Sequence, residues 1–250
     1  MEIENFKVYG ERNTATNYLI KLLSINFPRI NILRSTVDPS VLPKNVNLPA
    51  SDREKLIDNY FESSFSSNLG WKHSFICSDK LRKHKEILSK TLIITITKNP
   101  YSWLLSFYRK PYHRLNDYYD DFRGFLKPEW RTVGRDGLDD LYLSPIEIWN
   151  LKNRSYVDCE VGNVLNIKSE NLIINPKVEL DRISQAVFNR DCEIFCNYFR
   201  STKSDKKDSE YYKSYYKNEI WKKEIKREDI KYITERLDFS LMKKLRYDEI

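Results

Sequence analysis

Apolar residues along the chain keep two rhythms. Phe6-Lys7-Val8-Tyr9 alternates and stops at Gly10, which predicts a short strand. Tyr18, Leu19, Leu22, Leu23 and Phe27 then recur at helical spacing, and Pro28 ends the pattern. The opening therefore reads as strand, tight turn, helix. Three prolines and few apolar repeats over 31–49 predict a loop or irregular crossover. Ser51, with Glu54 three residues on, reads as a helix start. Residues 69–76 form a short apolar stretch interrupted by Lys72 and His73, read as a third strand end, and 79–88 reads as helix.

The run TLIITIT, 91–97, is rich in β-branched residues and apolar on both parities. That pattern suits a strand covered on both faces, as in a parallel sheet. It stops at Lys98-Asn99-Pro100, and 101–109 continues as a helix with Trp103, Leu104 and Phe107 on one side. A helix restarts at 145, a strand follows at 163–168, and 183–199 reads as mainly helical. Residues 201–217 are polar and lysine-rich with paired tyrosines. A helical tail over 219–247 carries Ile220, Ile225, Ile230, Ile233, Leu237 and Leu241 as its apolar positions. Strands alternating with helices predict one α/β domain over 1–250, with a mainly parallel central sheet and helices on both faces. Residues 113–145 are aromatic, acidic and without a dominant period. They read as a lid over a substrate or as a surface insertion.

Composition narrows the class. The chain has 250 residues, 40% hydrophobic and 14% aromatic, which suits one domain with a sizeable core. Forty-three basic against 36 acidic residues leave +7, intermixed rather than gathered in a stripe. That balance fits a polyanionic small ligand or an acidic substrate better than a nucleic acid. Four cysteines and three histidines do not make a zinc set, although Cys192 and Cys196 lie four apart on an expected helix. Reduced thiols, no metal and a cytoplasmic location are the expectation. The start MEIENFKVYG lacks the pattern of a signal peptide, and TLIITIT is too short to span a bilayer.

In an open parallel sheet, ligands bind at the carboxyl ends of strands. Three expected strands end in polar clusters: 10–16, Lys72-His73 and Lys98-Asn99-Pro100. The first belongs to GERNTATNYLIKLL, 10–23, a turn that feeds a helix. Free backbone N–H groups and the helix dipole there favour an anion. Arg12, Thr14 and Thr16 add donors. A triphosphate-binding loop needs lysine and then Ser/Thr for Mg²⁺, and neither Ala15 nor Asn17 fits those roles. A small-molecule kinase with a degenerate loop is therefore the alternative enzyme.

In LIITITKNPYSWLLSFY, Lys98 closes a strand and Ser106 lies eight residues on, in the following helix. This combination resembles the second phosphate site of the sulfotransferases that use 3′-phosphoadenosine 5′-phosphosulfate (PAPS). There a strand, Arg, Asn and Pro are followed by Ser at the same offset. Asn99, Pro100 and Ser106 match, and Lys98 takes the arginine position, keeping the charge without the bidentate fork. The opening turn falls into register with the family's Lys-Ser-Gly-Thr-Thr and its aromatic-leucine pair, at Asn13-Thr14-Ala15-Thr16-Asn17-Tyr18-Leu19. The family's basic residue maps to Asn13, with Arg12 next door. Trp71-Lys72-His73 is similar to the family's strand ending in lysine and histidine near the acceptor. Ser169-Glu170-Asn171-Leu172 is similar to its Tyr-Glu-Asp-Leu.

The resemblance implies a P-loop-like sulfotransferase fold, PAPS as co-substrate, 3′-phosphoadenosine 5′-phosphate (PAP) as product and no metal. It implies that Arg12, Asn13, Thr14, Ala15, Thr16 and Asn17 hold the 5′-phosphosulfate and that Lys98 with Ser106 holds the 3′-phosphate. His73 is implied as general base, with Arg12 and Lys72 offsetting charge on the leaving oxygen. Glu11 and His113 are the other candidates for the base. Lys203, Lys206 and Lys207 fall where relatives bring a basic loop over the 3′-phosphate, and a solvated loop is the other reading of them. The acceptor is a small molecule or a glycan, with aromatic residues over 118–130 available to stack on a ring. A sulfotransferase-like module without catalysis is the non-enzymatic alternative, because Asn13 replaces the basic residue.

Overall fold

The computed structural model describes residues 2–42, 48–111, 119, 121–138, 142–200 and 207–250. His113, Lys203, Lys206 and part of the expected lid lie outside these. The strands are β1 (Asn5–Gly10), β2 (Asn31–Ile32), β3 (Thr91–Thr97), β4 (Trp130–Arg131), β5 (Tyr142–Leu143) and β6 (Asn163–Lys168). The helices are α1 (Thr16–Asn26), α2 (Ala50–Ser63), α3 (Phe65–Asn68), α4 (Ser78–Arg82), α5 (Lys85–Ser89), α6 (Pro100–Arg109) and α7 (Phe122–Leu126). They continue with α8 (Pro145–Val157), α9 (Ser169–Ile174), α10 (Pro176–Phe188), α11 (Ser209–Lys217), α12 (Arg227–Thr234) and α13 (Phe239–Leu245).

One parallel sheet runs β2-β1-β3-β6, and β4 pairs with β5 antiparallel on its own. This is the α/β arrangement expected from the alternating patterns. Every residue of β3 is buried, because the strand is covered on both sides. On one face Phe6, Val8, Leu92, Ile94, Ile96 and Ile167 pack against Leu19, Leu22 and Leu23 of α1 and against Leu180 and Ile183 of α10. On the other, Tyr9 and Ile93 meet Leu81, Leu88 and Tyr156. Each isoleucine so buried stabilises the fold by about 1.5–3 kcal/mol relative to exposure. A third cluster joins Trp103 and Phe107 of α6, Trp149 of α8, Tyr215 and Tyr216 of α11, and the C-terminal helices.

From β1 the chain passes to β2 on one side, then to β3 on the other. The order reverses between β1 and β3, which is where such a sheet leaves a crevice at its carboxyl edge. Gly10 stands opposite Ile96 there. It must be glycine, because an added Cβ would lie 2.1 Å from Ile96 Cγ2 and 2.8 Å from Ile96 O.

Several expectations are corrected. Residues 71–74 form a turn closed by Ser74 N–H to Trp71 O, joined to β1 through Gly10 N–H to Lys72 O at 2.8 Å, and not a strand. The expected helix over 79–88 is split into α4 and α5, because His84 N–H bonds Leu81 O and His84 leaves helical geometry. The helix expected over 183–199 stops at Phe188, where Asn189 takes a left-handed cap. Beyond it, Asp181 Oδ1 accepts Cys192 N–H and Asn26 Oδ1 accepts Cys196 N–H, so the two cysteines sit on no helix. Helix α2 begins one residue before Ser51, with Pro49 O accepting the first N–H groups. Lys7, polar in the alternation of β1, is fully buried and donates to Gly70 O. Of the aromatic segment proposed to stack on a ring, Phe125 is fully buried against Phe107, with ring centroids 5.1 Å apart. Among the described residues no helix is long and apolar enough to cross a membrane.

Candidate active site

The first turn leaves β1 at Gly10 and enters α1 at Thr16. Asn13 and Ala15 both take left-handed backbone, φ 65° and 67°. Such alternation turns successive N–H groups into a concave nest that attracts anions. The first N–H groups of α1 have no intrahelical partner, and no side chain caps them. Thr14 donates its hydroxyl to Glu11 O at 2.5 Å, which keeps its proton inside the turn. Thr16 is buried at the helix start. The turn is held from below by Trp103 Nε1, which donates to Arg12 O at 2.8 Å.

The second cluster follows β3. Asn99 caps α6 by accepting from Tyr101 N–H at 3.1 Å and Ser102 N–H at 3.4 Å, and Pro100 starts the helix without needing a donor. This junction sets the eight-residue offset between Lys98 and Ser106. Lys98 Nζ donates to Ser106 Oγ at 2.8 Å and reaches Asn13 O at 3.4 Å, across 85 residues of sequence. Lys98 is fully buried, and burial pulls its pKa down from 10.5 to about 8. The Tyr216 ring lies 5.0 Å from Lys98 Nζ, and the Ser106 hydroxyl donates to Ser102 O at 2.9 Å. Trp149 Nε1 fixes Lys98 O at 2.9 Å. Glu170 Oε1 accepts Asn99 N–H at 2.9 Å, so the Glu of the Ser-Glu-Asn-Leu segment supports the strand end.

The third cluster lies against the first. Lys72 Nζ donates to Asn17 Oδ1 at 2.5 Å, and burial followed by the nearby Arg12 charge lowers its pKa to about 8. His73 Nδ1 lies 2.6 Å from Gly10 O. A carbonyl only accepts, so the proton sits on Nδ1 and the Nε2 lone pair is the basic one. Burial, then the charge of Lys72, hold the imidazole well below its usual pKa, against the pull of the Gly10 carbonyl. The Arg12 guanidinium carbon sits 5.1 Å from the centre of the Trp71 ring, and Arg135 lies 4.8 Å from the same ring.

Residues 12–17, Lys98 with Ser106, and Lys72 with His73 thus collect at the carboxyl ends of β1 and β3 and on the turn at 71–74, while Lys207 is exposed and donates to Tyr211 Oη at 2.7 Å. Glu11, the alternative base, is committed elsewhere: its Oε1 accepts Arg12 N–H at 2.6 Å and its Oε2 lies 2.6 Å from Lys152 Nζ. Trp103, Trp149, Lys152 and Tyr216 were not singled out for the site from sequence. Trp103 read simply as a helix-face apolar residue, and the indole N–H groups of the two tryptophans left no local pattern. Paired tyrosines in a lysine-rich stretch were the one visible sign of Tyr216.

No protein-family model matches the chain, and no curated protein does. Among solved structures it is similar to a sulfotransferase from Alicyclobacillus acidocaldarius, with 12% identity over 99% of this chain and 98% of that one and a TM-score of 0.44. A likeness at that score bears on no residue of the site.

Proposed function

We propose that this protein is a sulfotransferase that moves a sulfuryl group from PAPS to a hydroxyl or amine acceptor. The observation that carries the reading is the contact of Lys98 with both Ser106 and Asn13. It joins the two phosphate-type motifs into one cluster at the reversal point of the sheet. The donor set fits a ligand with two separate phosphate groups. Backbone N–H groups of the turn, with Arg12, Thr16 and Asn17, would hold the 5′-phosphosulfate, and Lys98 with Ser106 the 3′-phosphate. PAPS supplies an activated sulfuryl group on a phosphate leaving group.

His73 would take the acceptor proton on Nε2, since Nδ1–H is donated to Gly10 O. Its low pKa keeps it neutral at physiological pH, and an anion bound beside Arg12 and Lys72 raises its basicity. Arg12 and Lys72 would offset charge on the leaving oxygen, their positions set before the reaction begins. A glycan is the preferred acceptor class, by analogy with the sulfotransferases that act on carbohydrates.

Calorimetry with PAP against ATP plus Mg²⁺ tests the donor site, and transfer of labelled sulfate from PAPS across an acceptor panel tests the reaction. PAP binding without ATP binding is expected, followed by acceptor labelling. ATP–Mg²⁺ binding in place of PAP points to a kinase. PAP binding with no transfer to any acceptor leaves the non-catalytic module standing.

A further inference from the structure

Beneath the first turn lies a buried ion network that the proposed reaction leaves unused. Lys152, on α8, is 1% exposed, and Glu11 and Asp136 are as deeply buried. Its ammonium lies 2.6 Å from Glu11 Oε2 and 2.5 Å from Asp136 Oδ1, and donates to His73 O at 2.9 Å. Two of its protons are donated, to Asp136 Oδ1 and to the His73 carbonyl, and Glu11 is held by the ion pair, so one ammonium engages three separate segments.

Each segment feeds a different side of the site. Glu11 is the first residue after β1, and its other oxygen accepts Arg12 N–H, so it sets the start of the anion-binding turn. His73 carries the imidazole that hangs on Gly10 O. Asp136 accepts Phe75 N–H at 2.7 Å through its backbone and Val133 N–H at 3.2 Å through its carboxylate. It therefore ties the turn after His73 to the segment before β5. Nothing in the local sequence joins these three, and Lys152 is their common partner.

Holding segments together does not by itself require charge. Apolar side chains of similar volume usually do it as well or better, because desolvating ions is costly. What ions add is direction: each N–H fixes one acceptor at one angle. From this geometry we propose that Lys152 is a positioning residue of the sulfuryl-transfer site, fixing the His73 main chain against the donor turn through Glu11. The inference rests on the sulfotransferase reading above. The charges facing His73 come from Lys72 on its own turn, Arg12 on the donor turn and Lys152 on α8. Burial works against the Lys152 ammonium, but Asp136 and Glu11 outweigh it and keep the group charged.

The test uses the full chain and needs no acceptor. Imidazole nitrogen resonances are recorded for the wild type, Lys152→Gln and the isosteric Asp136→Asn, with His73→Gln to assign the signal among three histidines. PAP affinity is measured by calorimetry on the same samples. In the wild type the His73 signal is expected to report protonated Nδ1 and unprotonated Nε2. In Lys152→Gln that tautomer preference is expected to average out and PAP affinity to fall about tenfold. Asp136→Asn, which keeps the Lys152–Glu11 pair, is expected to show a smaller change of the same kind. It decides the matter if Lys152→Gln does not fold. Wild-type resonances and wild-type PAP affinity in a folded variant would overturn the positioning role alone. Absence of PAP binding in the wild type defeats instead the reading on which that role depends.

Discussion

The two halves of the proposed donor site, at the carboxyl ends of β1 and β3, are built in different ways. At β1 the groups are mostly backbone: two left-handed residues and the open start of α1, locked by Trp103, Thr14 and the Glu11 carboxylate. At β3 the proposed group is one side chain, a lysine buried between Ser106 and Tyr216. A backbone nest depends on shape and is indifferent to pH. A buried ammonium depends on charge, and its burial has already brought its pKa to about 8. Shape is therefore expected to fail by steric insult at the first site, and charge by deprotonation or truncation at the second.

The largest effect is expected from Gly10→Ala. Ile96 Cγ2 and the Ile96 carbonyl leave no room for the new methyl group, and neither belongs to a flexible side chain. Overpacking of this kind costs about 3 kcal/mol. Urea denaturation should show that loss, and a variant as stable as the wild type would mean that β1 and β3 can separate without penalty. Next comes Lys98→Met, which keeps the apolar stem and removes the charge. Losing a charge-assisted contact to phosphate costs about 2 kcal/mol, or about thirtyfold in PAP affinity. Urea stability should hardly fall, because a buried ammonium is itself costly. Unchanged calorimetric affinity would remove Lys98 from the donor site.

The same contrast explains what could be read from the sequence. β1, β3 and β6 were legible because strand patterns and their Gly or Lys-Asn-Pro endings are local. The Lys98–Ser106 spacing was legible because a capped helix directly after a strand fixes geometry over eight residues. β2 was missed because two residues carry no period. Helix α11 was hidden because its buried Tyr215 and Tyr216 alternate with lysines in composition but not in space. The pairing of Glu11 with Lys152 was beyond reach, since two charges 141 positions apart leave no local trace before the chain folds. Lys72 and His73 were placed correctly at the sheet edge but on the wrong element, because a turn that bonds once to Gly10 shares the polar ending of a strand.

A pH titration of the wild type beside Lys98→Met separates the two ends. An anion favours the charged form of Lys98, so its pKa is higher with ligand bound than the value of about 8 without it. Binding then takes up a proton above pH 8, and PAP affinity should fall by up to about tenfold per pH unit from there. Lys72, also near 8, adds to the slope. Calorimetry in two buffers of different ionisation enthalpy reads the uptake directly. Lys98→Met should retain only the share due to Lys72. A flat profile from pH 7 to 9.5 in the wild type would show that neither lysine changes protonation on binding.

The smallest and most discriminating change is Tyr216→Phe. In the structure its ring faces Lys98, with the ammonium 5.0 Å from the ring centre, and that ammonium also reaches the Ser106 hydroxyl. Phenylalanine keeps the ring, so PAP affinity should stay at the wild-type value. A neutral hydrogen bond contributes about 0.5–1 kcal/mol net, or about two- to fivefold in affinity. Weakening by that factor gives the opposite assignment: the tyrosine hydroxyl is then a ligand of the 3′-phosphate, and the β3 end depends on more than one side chain.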